Sequence, residues 1–355
     1  MVTFLSAPDV ARIVARVGAR QFWIRMVETL REDFLRWDAF EKSPRYASHS
    51  PKGVIELMPA AEAKAFAFKC VNGHPGNTKL GLQTVVAFGA LLDVATGYPA
   101  LLADMTFATA LRTAGASALA ARYLARRNSR TMALIGLGAQ SEFQACAFRD
   151  IVGVERLRVF DVDPAATEKF LRNIAPLGRE IIRCEDAREA ARGADIVTTV
   201  TADKRRAIIL DADMIAPGVH VNGVGGDCPG KTELSRALLQ RGDIFVEYAP
   251  QTRIEGDIQQ LPADHPVTEL HAVIRGRKPG RRNDEAITIF DSVGFAVEDF
   301  SVMRLLCDLS RETGIRARLD LIAEPENPKD LFSLLRRAEA EGLEMNMCAP
   351  VKIPA

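Results

Sequence analysis

The chain has 355 residues, of which 48% are hydrophobic, and its 46 basic and 46 acidic residues leave no net charge at pH 7. This length allows two domains with their own cores, and the charge balance gives no sign of a nucleic-acid or membrane-surface partner. No apolar run approaches the roughly 20 residues that span a bilayer. The first residues lack the features of a signal peptide, so we expect a cytoplasmic location. Six scattered cysteines with no Cys-x-x-Cys pair predict reduced thiols and no metal site.

The N-terminal part of the chain predicts helices followed by strands. Ser6 is a candidate cap with Pro8 in the first turn, and apolar residues recur at helical spacing to about residue 42, with an interruption at Gly18. Three segments have strand-like composition: residues 54–58, 65–71 and 84–92. A hairpin turn and another strand then lead to a long helix rich in Ala and Leu, residues 106–125.

From residue 130 onward, strands and helices alternate, which is typical of a parallel sheet with helices on both faces. The predicted strands are residues 132–135, 158–160, 181–183, 196–200, 219–221, 244–246 and 287–290. A helix from residue 297 to about 311 leaves this sheet, and we expect its apolar side to pack on the first domain. The tail from residue 324 contains four prolines and is expected to be partly irregular.

Residues 133–142 (ALIGLGAQSE) follow a predicted strand and open a predicted helix. Gly136 allows a tight turn, and Gly138 lets the backbone approach a pyrophosphate at the helix N-terminus, where free N–H groups attract anions. Ser141 stands where the usual fingerprint has a third glycine, so the motif depends on its context. That context is an apolar strand before it, a helix after it and an acidic residue at the end of the next strand, and it predicts a nucleotide site.

The acidic residue is Asp161, 25 residues after Gly136 and near the distance expected for a contact with a ribose hydroxyl. A carboxylate there repels a 2′-phosphate and no arginine follows at once, which favours NAD over NADP. The alternative role for Asp161 is a cap for the helix that begins at Pro164. Thr198 and Thr199 end a later strand at the same edge, where they either line the cofactor or reflect only the β-propensity of threonine.

The most distinctive segment is residues 221–234 (VNGVGGDCPGKTEL). It places Asp227 in a bend of glycines and a proline at the predicted mouth of the sheet, and glycine lets the backbone approach a ligand closely. We expect Asp227 to transfer protons. The alternative is a turn carboxylate that caps a helix near Thr232.

Charged residues interrupt apolar segments of the first domain at four places: Arg45, Glu56, Lys69 and Arg112. Taken singly, strand alternation points Glu56 and Lys69 towards solvent, and Arg112 is one polar residue of a helix. Taken together, two or three cations suit an α-carboxylate, because arginine can hold it with two parallel hydrogen bonds.

Eight segments form a set of long motifs: residues 45–50 (RYASHS), 54–59 (VIELMP), 68–77 (FKCVNGHPGN), 109–113 (TALRT), 136–142, 222–234, 245–256 (FVEYAPQTRIEG) and 290–295 (FDSVGF). With them the chain closely resembles the ornithine cyclodeaminase/μ-crystallin family, from the N-terminus to about residue 332. Cys70 stands where an aromatic residue is expected, and Leu137 where a polar one is expected. Neither is a charged position, so the resemblance in chemistry is unaffected.

The resemblance implies a role for each matched position. Arg45, Lys69 and Arg112 are expected to bind the substrate carboxylate, and the backbone at Val293 to touch the substrate. Asp227 is expected to be the proton donor and acceptor. Glu56 is expected to be the second catalytic residue and to face the amino end of the substrate. The residues expected to contact NAD are Thr84, Arg112, Gly136, Gly138, Ala139, Gln140, Asp161, Thr201, Asn222, Gly223, Val224, Lys231 and Ser292.

The resemblance also implies an activity: NAD-dependent cyclodeamination of L-ornithine to L-proline, with release of ammonia. A hydride leaves and returns, and a ring closes in between. Relatives that reduce imines or dehydrogenate alanine tend to lack the aspartate at position 227. The alternatives are an NAD-dependent ketimine reductase or amino-acid dehydrogenase, a non-catalytic crystallin-like binding protein, and a lysine cyclodeaminase, whose substrate differs by one methylene, worth only ~1–3 kcal/mol in a pocket.

The predicted fold class is α/β, with a doubly wound Rossmann-type NAD domain over residues 130–294. An α+β substrate-binding and dimerisation domain is expected over residues 1–129, completed by residues 295–320, and residues 321–355 form a C-terminal tail with no assigned role. The apolar strands between residues 54 and 102 exceed what a small monomeric domain exposes. The family forms dimers through this domain, so we expect a homodimer that binds L-ornithine, with no nucleic-acid or membrane partner.

Overall fold

The computed structural model describes residues 1–178, 180–202 and 206–340. The helices in this part of the chain are α1 (Ala7–Val17), α2 (Ala19–Leu35), α3 (Thr106–Leu124), α4 (Ser141–Ala147), α5 (Pro164–Ile174), α6 (Ala187–Ala191), α7 (Arg236–Arg241), α8 (Ala249–Glu255), α9 (Leu270–Ile274), α10 (Ala296–Thr313) and α11 (Phe332–Ala340). The strands are β1 (Val2–Leu5), β2 (Glu41–Lys42), β3 (Tyr46–Ser50), β4 (Gly53–Ala61), β5 (Ala65–Gly73), β6 (Ala87–Asp93), β7 (Pro99–Asp104), β8 (Thr131–Ile135), β9 (Arg156–Phe160), β10 (Glu180–Arg183), β11 (Ile196–Thr199), β12 (Arg206–Leu210), β13 (His220–Gly223), β14 (Thr232–Leu234), β15 (Asp243–Val246), β16 (Thr268–Glu269), β17 (Thr288–Asp291) and β18 (Ala317–Leu319).

The two N-terminal helices begin as predicted. Ser6 caps α1: its hydroxyl accepts a hydrogen bond from Asp9 N at 3.3 Å, and the Asp9 carboxylate accepts one from Ser6 N at 3.1 Å. Gly18, with φ +88°, separates α1 from α2, which confirms the predicted interruption. The helix prediction is wrong beyond Leu35, where α2 ends, because Lys42 belongs to strand β2.

The first sheet has the strand order β18-β1-β7-β6-β5-β4-β2, with β3 also paired to β4. β1 runs parallel to β7, and the other neighbours are antiparallel. The three predicted strands correspond to β4, β5 and β6, but β6 begins only at Ala87, so Thr84 lies outside it. β1 and β18 were not predicted, because their pairing joins segments about 315 residues apart that carry no local pattern.

Helix α10 covers one face of the first sheet. It packs against β5 and β4 and against α2 and α3, so the helix predicted to return to the first domain does so. Strand register places Lys69 between Met58 and Gly89 on this covered face, and Glu56 beside Val71. The predicted charged residues therefore lie between a sheet and a buried helix, in a place where water has little access.

The second sheet is entirely parallel and has the order β10-β9-β8-β11-β13-β17-β15-β16. All seven predicted strands lie in it. Along β8, Met132 and Leu134 belong to one hydrophobic core while Ala133 and Ile135 belong to another, so both faces of the sheet are covered. This confirms the doubly wound α/β architecture. A separate pair of strands, β12 and β14, lies beside it.

In the described part of the predicted tail, residues 321–340, helix α11 is the one regular element, and it lies in the segment predicted to be partly irregular. The rest of the predicted tail, from residue 341, lies outside the described residues. Among the helices that are described, none has the length and apolar character needed to cross a membrane.

Candidate active site

The carboxyl ends of the parallel strands form one edge of the second sheet, which is where ligands bind in open α/β folds. β8 and β11 are neighbours there, and the chain continues outward from them in opposite directions, to β9 on one side and β13 on the other. Gly136 follows β8 directly, and Thr201 lies two residues beyond the end of β11. The predicted nucleotide motif therefore lies at the topological switch point.

The two glycines of the motif have different surroundings. Gly136 has φ +94°, and a Cβ added there lies 2.9 Å from the carbonyl carbon and oxygen of Val200. A Cβ added to Gly138 meets no atom of the described residues within 4 Å apart from its chain neighbours, so that part of the chain leaves the space above the turn open. A tight turn below and open space above suit a pyrophosphate that approaches the backbone.

Replacing Gly136 by alanine is expected to lower the free energy of unfolding by ~1–3 kcal/mol and to abolish cofactor binding, because the new Cβ forces both the backbone strain and the Val200 clash. Urea denaturation and titration with NAD measure the two effects. Gly138→Ala is the matched control: it should weaken NAD binding while leaving stability unchanged. A Gly136→Ala protein as stable as the unaltered chain contradicts this account of the turn.

Asp161 lies at the end of β9, against the glycine turn. Its Oδ2 accepts a hydrogen bond from Leu137 N at 2.5 Å, and its Oδ1 accepts one from Asp163 N at 2.8 Å. The alternative role as a helix cap is wrong, because Asp163 caps α5 by accepting a hydrogen bond from Ala165 N at 2.9 Å. Asp161 thus lies beside the turn, where a ribose contact requires a carboxylate.

Other predicted cofactor residues lie along the same edge. Ala139 and Gln140 immediately precede α4, and Ser292 N donates to Gly223 O at 2.8 Å. Val224 N donates to Thr199 O at 3.0 Å. The side-chain amide of Asn222 and the Oε1 of Gln140 are buried and have no hydrogen-bond partner among the described residues. Buried amides are rarely left unpaired, so these groups fit contacts with a bound dinucleotide.

Asp227 lies in the glycine-rich loop that follows β13, and its side chain is 51% exposed. Lys231 Nζ lies 3.2 Å from Asp227 Oδ1 and donates to Thr201 O at 3.0 Å. Burial alone would lower the pKa of Lys231, but the Asp227 and Glu233 carboxylates outweigh it and raise that pKa. Lys231 therefore stays charged and joins Asp227 to the cofactor edge.

The alternative role for Asp227 as a helix cap is wrong. Thr232 begins a strand, β14, rather than a helix. The next helix, α7, is capped by Ser235, whose hydroxyl accepts a hydrogen bond from Leu238 N at 3.1 Å. Asp227 caps neither β14 nor α7, so helix capping does not explain why a carboxylate lies in this loop.

Arg45 connects the first sheet to the loop that follows β17. Its Nη2 donates to the carbonyl oxygens of Val293 and Gly294 at 2.8 and 2.7 Å. Its Nη1 donates to Glu56 at 3.0 Å, and its Nε lies 3.0 Å from the Glu255 carboxylate. The predicted substrate residues Arg45, Glu56 and Val293 are thus in direct contact, and Arg45 is largely occupied by the protein's own acceptors.

Lys69 and Arg112 share the carboxylate of Asp299 on helix α10. Lys69 Nζ donates to Asp299 at 2.9 Å, Arg112 Nε donates to it at 3.2 Å, and Arg112 Nη1 donates to Glu298 at 2.7 Å. Burial lowers the pKa of Lys69 to about 8, against the opposing effect of Asp299. Lys69 is 1% exposed, Arg112 5% and Glu56 7%, so the alternative of solvent-facing charges is wrong.

Sequence reasoning missed five buried carboxylates that contact predicted site residues: Glu233, Glu247, Glu255, Glu298 and Asp299. Burial raises the pKa of Glu298 to about 8 and that of Glu255 to about 7, while Arg112 and Arg45 respectively oppose the shift. Glu247, Glu298 and Asp299 interrupt otherwise apolar segments, which is the signal that identified Glu56 and Lys69, whereas Glu233 and Glu255 lie among polar residues. The same criterion applied to the second half of the chain would have found Glu247, Glu298 and Asp299, but not the residues with which they pair.

One predicted residue stands apart. Thr84 lies in the loop between β5 and β6, where its carbonyl oxygen accepts a hydrogen bond from His74 N at 2.9 Å. In the described part of the chain no hydrogen bond or ion pair links Thr84 to the other predicted cofactor residues. Its contact with NAD stays a prediction.

The site thus has two parts. Buried cations lie beside the first sheet, where Arg112 is held by Asp299 through its Nε and by Glu298 through its Nη1. A nucleotide-type edge with open space above Gly138 lies on the second sheet. Asp227 and Lys231 lie between these parts, because Lys231 contacts Thr201 while the charge of Asp227 acts on Arg45. Such a site can hold an amino acid by its carboxylate and exchange protons beside a nucleotide.

Comparisons with known proteins identify the family of the chain. The model of the ornithine cyclodeaminase/mu-crystallin family matches residues 8–314. Ornithine cyclodeaminase of Agrobacterium fabrum is 56% identical over 340 residues, which cover 96% of each protein. Among solved structures, a lysine cyclodeaminase described for its recognition of L-lysine, L-ornithine and L-2,4-diaminobutyric acid is 32% identical with a TM-score of 0.86, over 94% of this chain and 99% of that one.

A second solved structure, an archaeal alanine dehydrogenase dimer with bound NAD, has a TM-score of 0.83 and 30% identity, over 90% of this chain and 99% of that one. The family match spans the second sheet, the first sheet except β1 and β18, and every residue of the site described above. The chain therefore belongs to the ornithine cyclodeaminase/mu-crystallin family.

Proposed function

We propose that this protein converts L-ornithine to L-proline and ammonia with the help of bound NAD. The observation that carries the proposal is the placement of Asp227. Its carboxylate contacts Lys231, which in turn contacts Thr201 at the nucleotide edge. The 56% identity to a curated ornithine cyclodeaminase, over almost the whole chain, supports the same activity.

NAD fits the residues present at the edge of the second sheet. The turn at Gly136, the open space at Gly138, the Asp161 carboxylate and the unpaired amides of Gln140 and Asn222 are the groups that would hold it. When bound there, NAD would supply the hydride chemistry at Cα of the substrate, both removal and return. The positions of Thr201, Lys231 and Ser292 on the same edge agree with the contacts predicted for them.

The side chains of the first domain orient the substrate. Arg112 and Lys69, supported by Asp299, bind the α-carboxylate, and Arg45 with the Val293 carbonyl closes this end of the site. Most of the rate advantage is expected from holding Cα in position for hydride transfer. Glu56, held by Arg45, faces the amino end of the substrate.

Asp227 then accepts and donates the protons that are transferred during ring closure. It takes a proton from the δ-ammonium, which frees the amine to attack the α-imine carbon of the same molecule. It gives a proton to the α-amino nitrogen, which leaves as ammonia, and the cyclic ketimine is reduced to L-proline. Lys231 holds the carboxylate in place through both transfers. Proton transfer by a positioned side chain typically contributes 10²–10⁴-fold in rate.

One incubation tests the proposed function: purified protein, L-ornithine and a small amount of NAD⁺. Proline and ammonia should form in equal amounts and far exceed the NAD⁺ supplied, with no lasting NADH absorbance. A dehydrogenase would instead consume NAD⁺ in proportion to product, and a binding protein would form no product. L-Lysine in a parallel reaction tests the alternative substrate, and faster turnover of lysine than of ornithine would overturn the assignment.

We also infer that two copies of the chain pair through the first sheet. On the face opposite α10, register places Tyr46, Leu57, Cys70 and Phe88 side by side across four strands. Tyr46 is 72% exposed, Phe88 53% and Leu57 41%. An apolar row of this kind on an open sheet face is typical of a protein interface, and the similar alanine dehydrogenase is described as a dimer.

Replacing Phe88 by aspartate is expected to convert the dimer to a monomer, because the change buries a charge at the centre of an apolar interface. Size-exclusion chromatography with light scattering at micromolar concentration measures the mass. Ile208→Asp is the matched control, since Ile208 is 68% exposed but lies in the separate β12–β14 pair. If the unaltered protein elutes as a monomer, the proposed interface is wrong.

A further inference from the structure

A buried carboxylate outside the predicted site, Glu233, joins the cofactor edge to the loop that carries Asp227. Glu233 lies in the short strand β14 and is 1% exposed. No role was assigned to it from the sequence motifs. Because a buried charge is costly unless it is fully hydrogen-bonded, the contacts of Glu233 indicate what it is there to hold.

The two oxygens of Glu233 reach two different loops. Oε1 accepts a hydrogen bond from Thr201 N at 2.8 Å and a short one from the Thr201 hydroxyl. Oε2 accepts a hydrogen bond from Gly225 N at 3.0 Å. Thr201 follows β11 and Gly225 follows β13, which are neighbouring strands, and Gly225 lies two residues before Asp227. One carboxylate thus fixes the distance between the two loops.

The loop is shaped to receive this carboxylate. A Cβ added to Gly225 would lie 2.0 Å from Glu233 Oε1, so only glycine allows the glutamate to approach its backbone. From below, Asp257 Oδ1 accepts hydrogen bonds from Glu233 N at 2.7 Å and from Leu234 N at 2.9 Å. Hydrogen bonds therefore fix both the backbone and the side chain of Glu233, so Glu233 stays in place and restrains both loops.

The ionisation of Glu233 is subject to two opposing influences, and burial is the larger. Burial raises the pKa of Glu233, while Lys231 and the Thr201 hydrogen bonds act in the opposite direction. Lys231 also contacts Thr201 O and Asp227, so Thr201, Lys231, Glu233 and the Asp227 loop form one connected set. Both carboxylate oxygens of Glu233 accept hydrogen bonds from Thr201 and Gly225, which indicates a positioning role rather than proton transfer to the substrate.

We propose that Glu233 is a positioning residue that sets the distance of the Asp227 carboxylate from the cofactor by joining Thr201 to Gly225. This rests on the proposed function of the site. This role of Glu233 affects only one half of the reaction. Hydride removal depends on the carboxylate-binding residues of the first domain, whereas ring closure depends on Asp227. Loss of the connection slows the second half selectively, and a displacement of about 1 Å can cost ~10²-fold in rate.

The test is Glu233→Gln, which keeps the size of the side chain but has one acceptor oxygen in place of two. The amide NH₂ then faces either Thr201 or Gly225, and that connection is lost. We expect proline formation to slow by about 10²-fold, with little change in KM for ornithine. Bound NADH should accumulate on rapid mixing with ornithine and NAD⁺, because imine forms faster than it is consumed.

Asp195→Asn is the matched control. Asp195 lies at the opposite edge of the same sheet, where its Oδ2 accepts hydrogen bonds from Arg130 N and Thr131 N at 2.8 and 2.9 Å. It should lower the thermal midpoint without any accumulation of NADH. If Glu233→Gln does not fold, Glu233→Asp replaces it: the shorter side chain keeps the charge but cannot reach both loops, and the same accumulation is expected.

Three outcomes overturn the inference. They are turnover of a folded Glu233 variant close to that of the unaltered protein, slow turnover with no NADH accumulation, and accumulation of the same size in Asp195→Asn. If the unaltered protein forms no proline, the proposed function itself fails. That result is distinct, because it is seen before any variant is made.

Discussion

Asp227→Asn is expected to lower the rate of proline formation about a thousandfold, because an amide can neither accept the proton of the δ-ammonium nor give one to the departing nitrogen. NAD binding should change little, since Lys231 keeps its contact with Thr201. Hydride removal should survive, so bound NADH is expected to reach up to one equivalent per site. Steady-state assays of proline and rapid-mixing absorbance measure the two effects.

Because Asp227 is exposed, its replacement should change the activity without changing the stability of the fold. Its side chain is 51% exposed and contacts Lys231 at the surface of the loop, so the thermal midpoint should hardly move. Asp213→Asn, which removes an exposed, ion-paired carboxylate near Arg188, is the matched control and should behave like the unaltered protein. Cyclisation at full speed by Asp227→Asn would remove the chemical basis of the proposed function.

The second large effect concerns Arg112→Leu, which is expected to lower the free energy of unfolding by about 3–5 kcal/mol. The change leaves Glu298 without its cation and leaves Asp299 paired only with Lys69, all of them buried. The substrate carboxylate also loses a binding group, so KM for ornithine should rise sharply in the fraction that folds. Urea denaturation and steady-state kinetics measure these effects.

Arg122→Leu provides the comparison within the same helix. Arg122 and its partner Glu28 are 43% and 39% exposed, and exposed ion pairs are typically worth only ~0–1 kcal/mol. Both substitutions remove an ion-paired arginine from α3, but only Arg112 is buried. The difference between their losses of stability therefore measures the effect of burial. Equal losses of stability for Arg112 and Arg122 would show that the cluster around Asp299 has no special weight in this fold.

The sequence predicted the second sheet well because its strands are buried on both faces. Such strands are short apolar runs bounded by helices, and the pattern is local. The first sheet was predicted in its centre but not at its edges, since β1 and β18 pair residues at opposite ends of the chain. Thr84 was placed in a strand because Val85 and Val86 continue the apolar pattern, yet both are largely exposed in the loop before β6.

The motifs predicted the residues of the site, but they did not predict the carboxylates that pair with its cations. Arg45, Lys69 and Arg112 were expected to bind the substrate carboxylate. The structure pairs them with Glu56, Glu255, Asp299 and Glu298, and most of these contacts join residues more than 180 positions apart. No local pattern can reveal such pairs. The raised pKa values of Glu255 and Glu298 follow from that burial rather than from any feature of the nearby sequence.

The central claim is that one hydride leaves the substrate and returns to it, with ring closure between the two transfers. L-Ornithine carrying deuterium at Cα, supplied in large excess over NAD⁺ in ordinary water, tests this directly by mass spectrometry of the product. The account predicts proline that keeps the deuterium at Cα, in amounts well above the NAD⁺ added. Proline that has lost the label, or product limited to the NAD⁺ supplied, would contradict it.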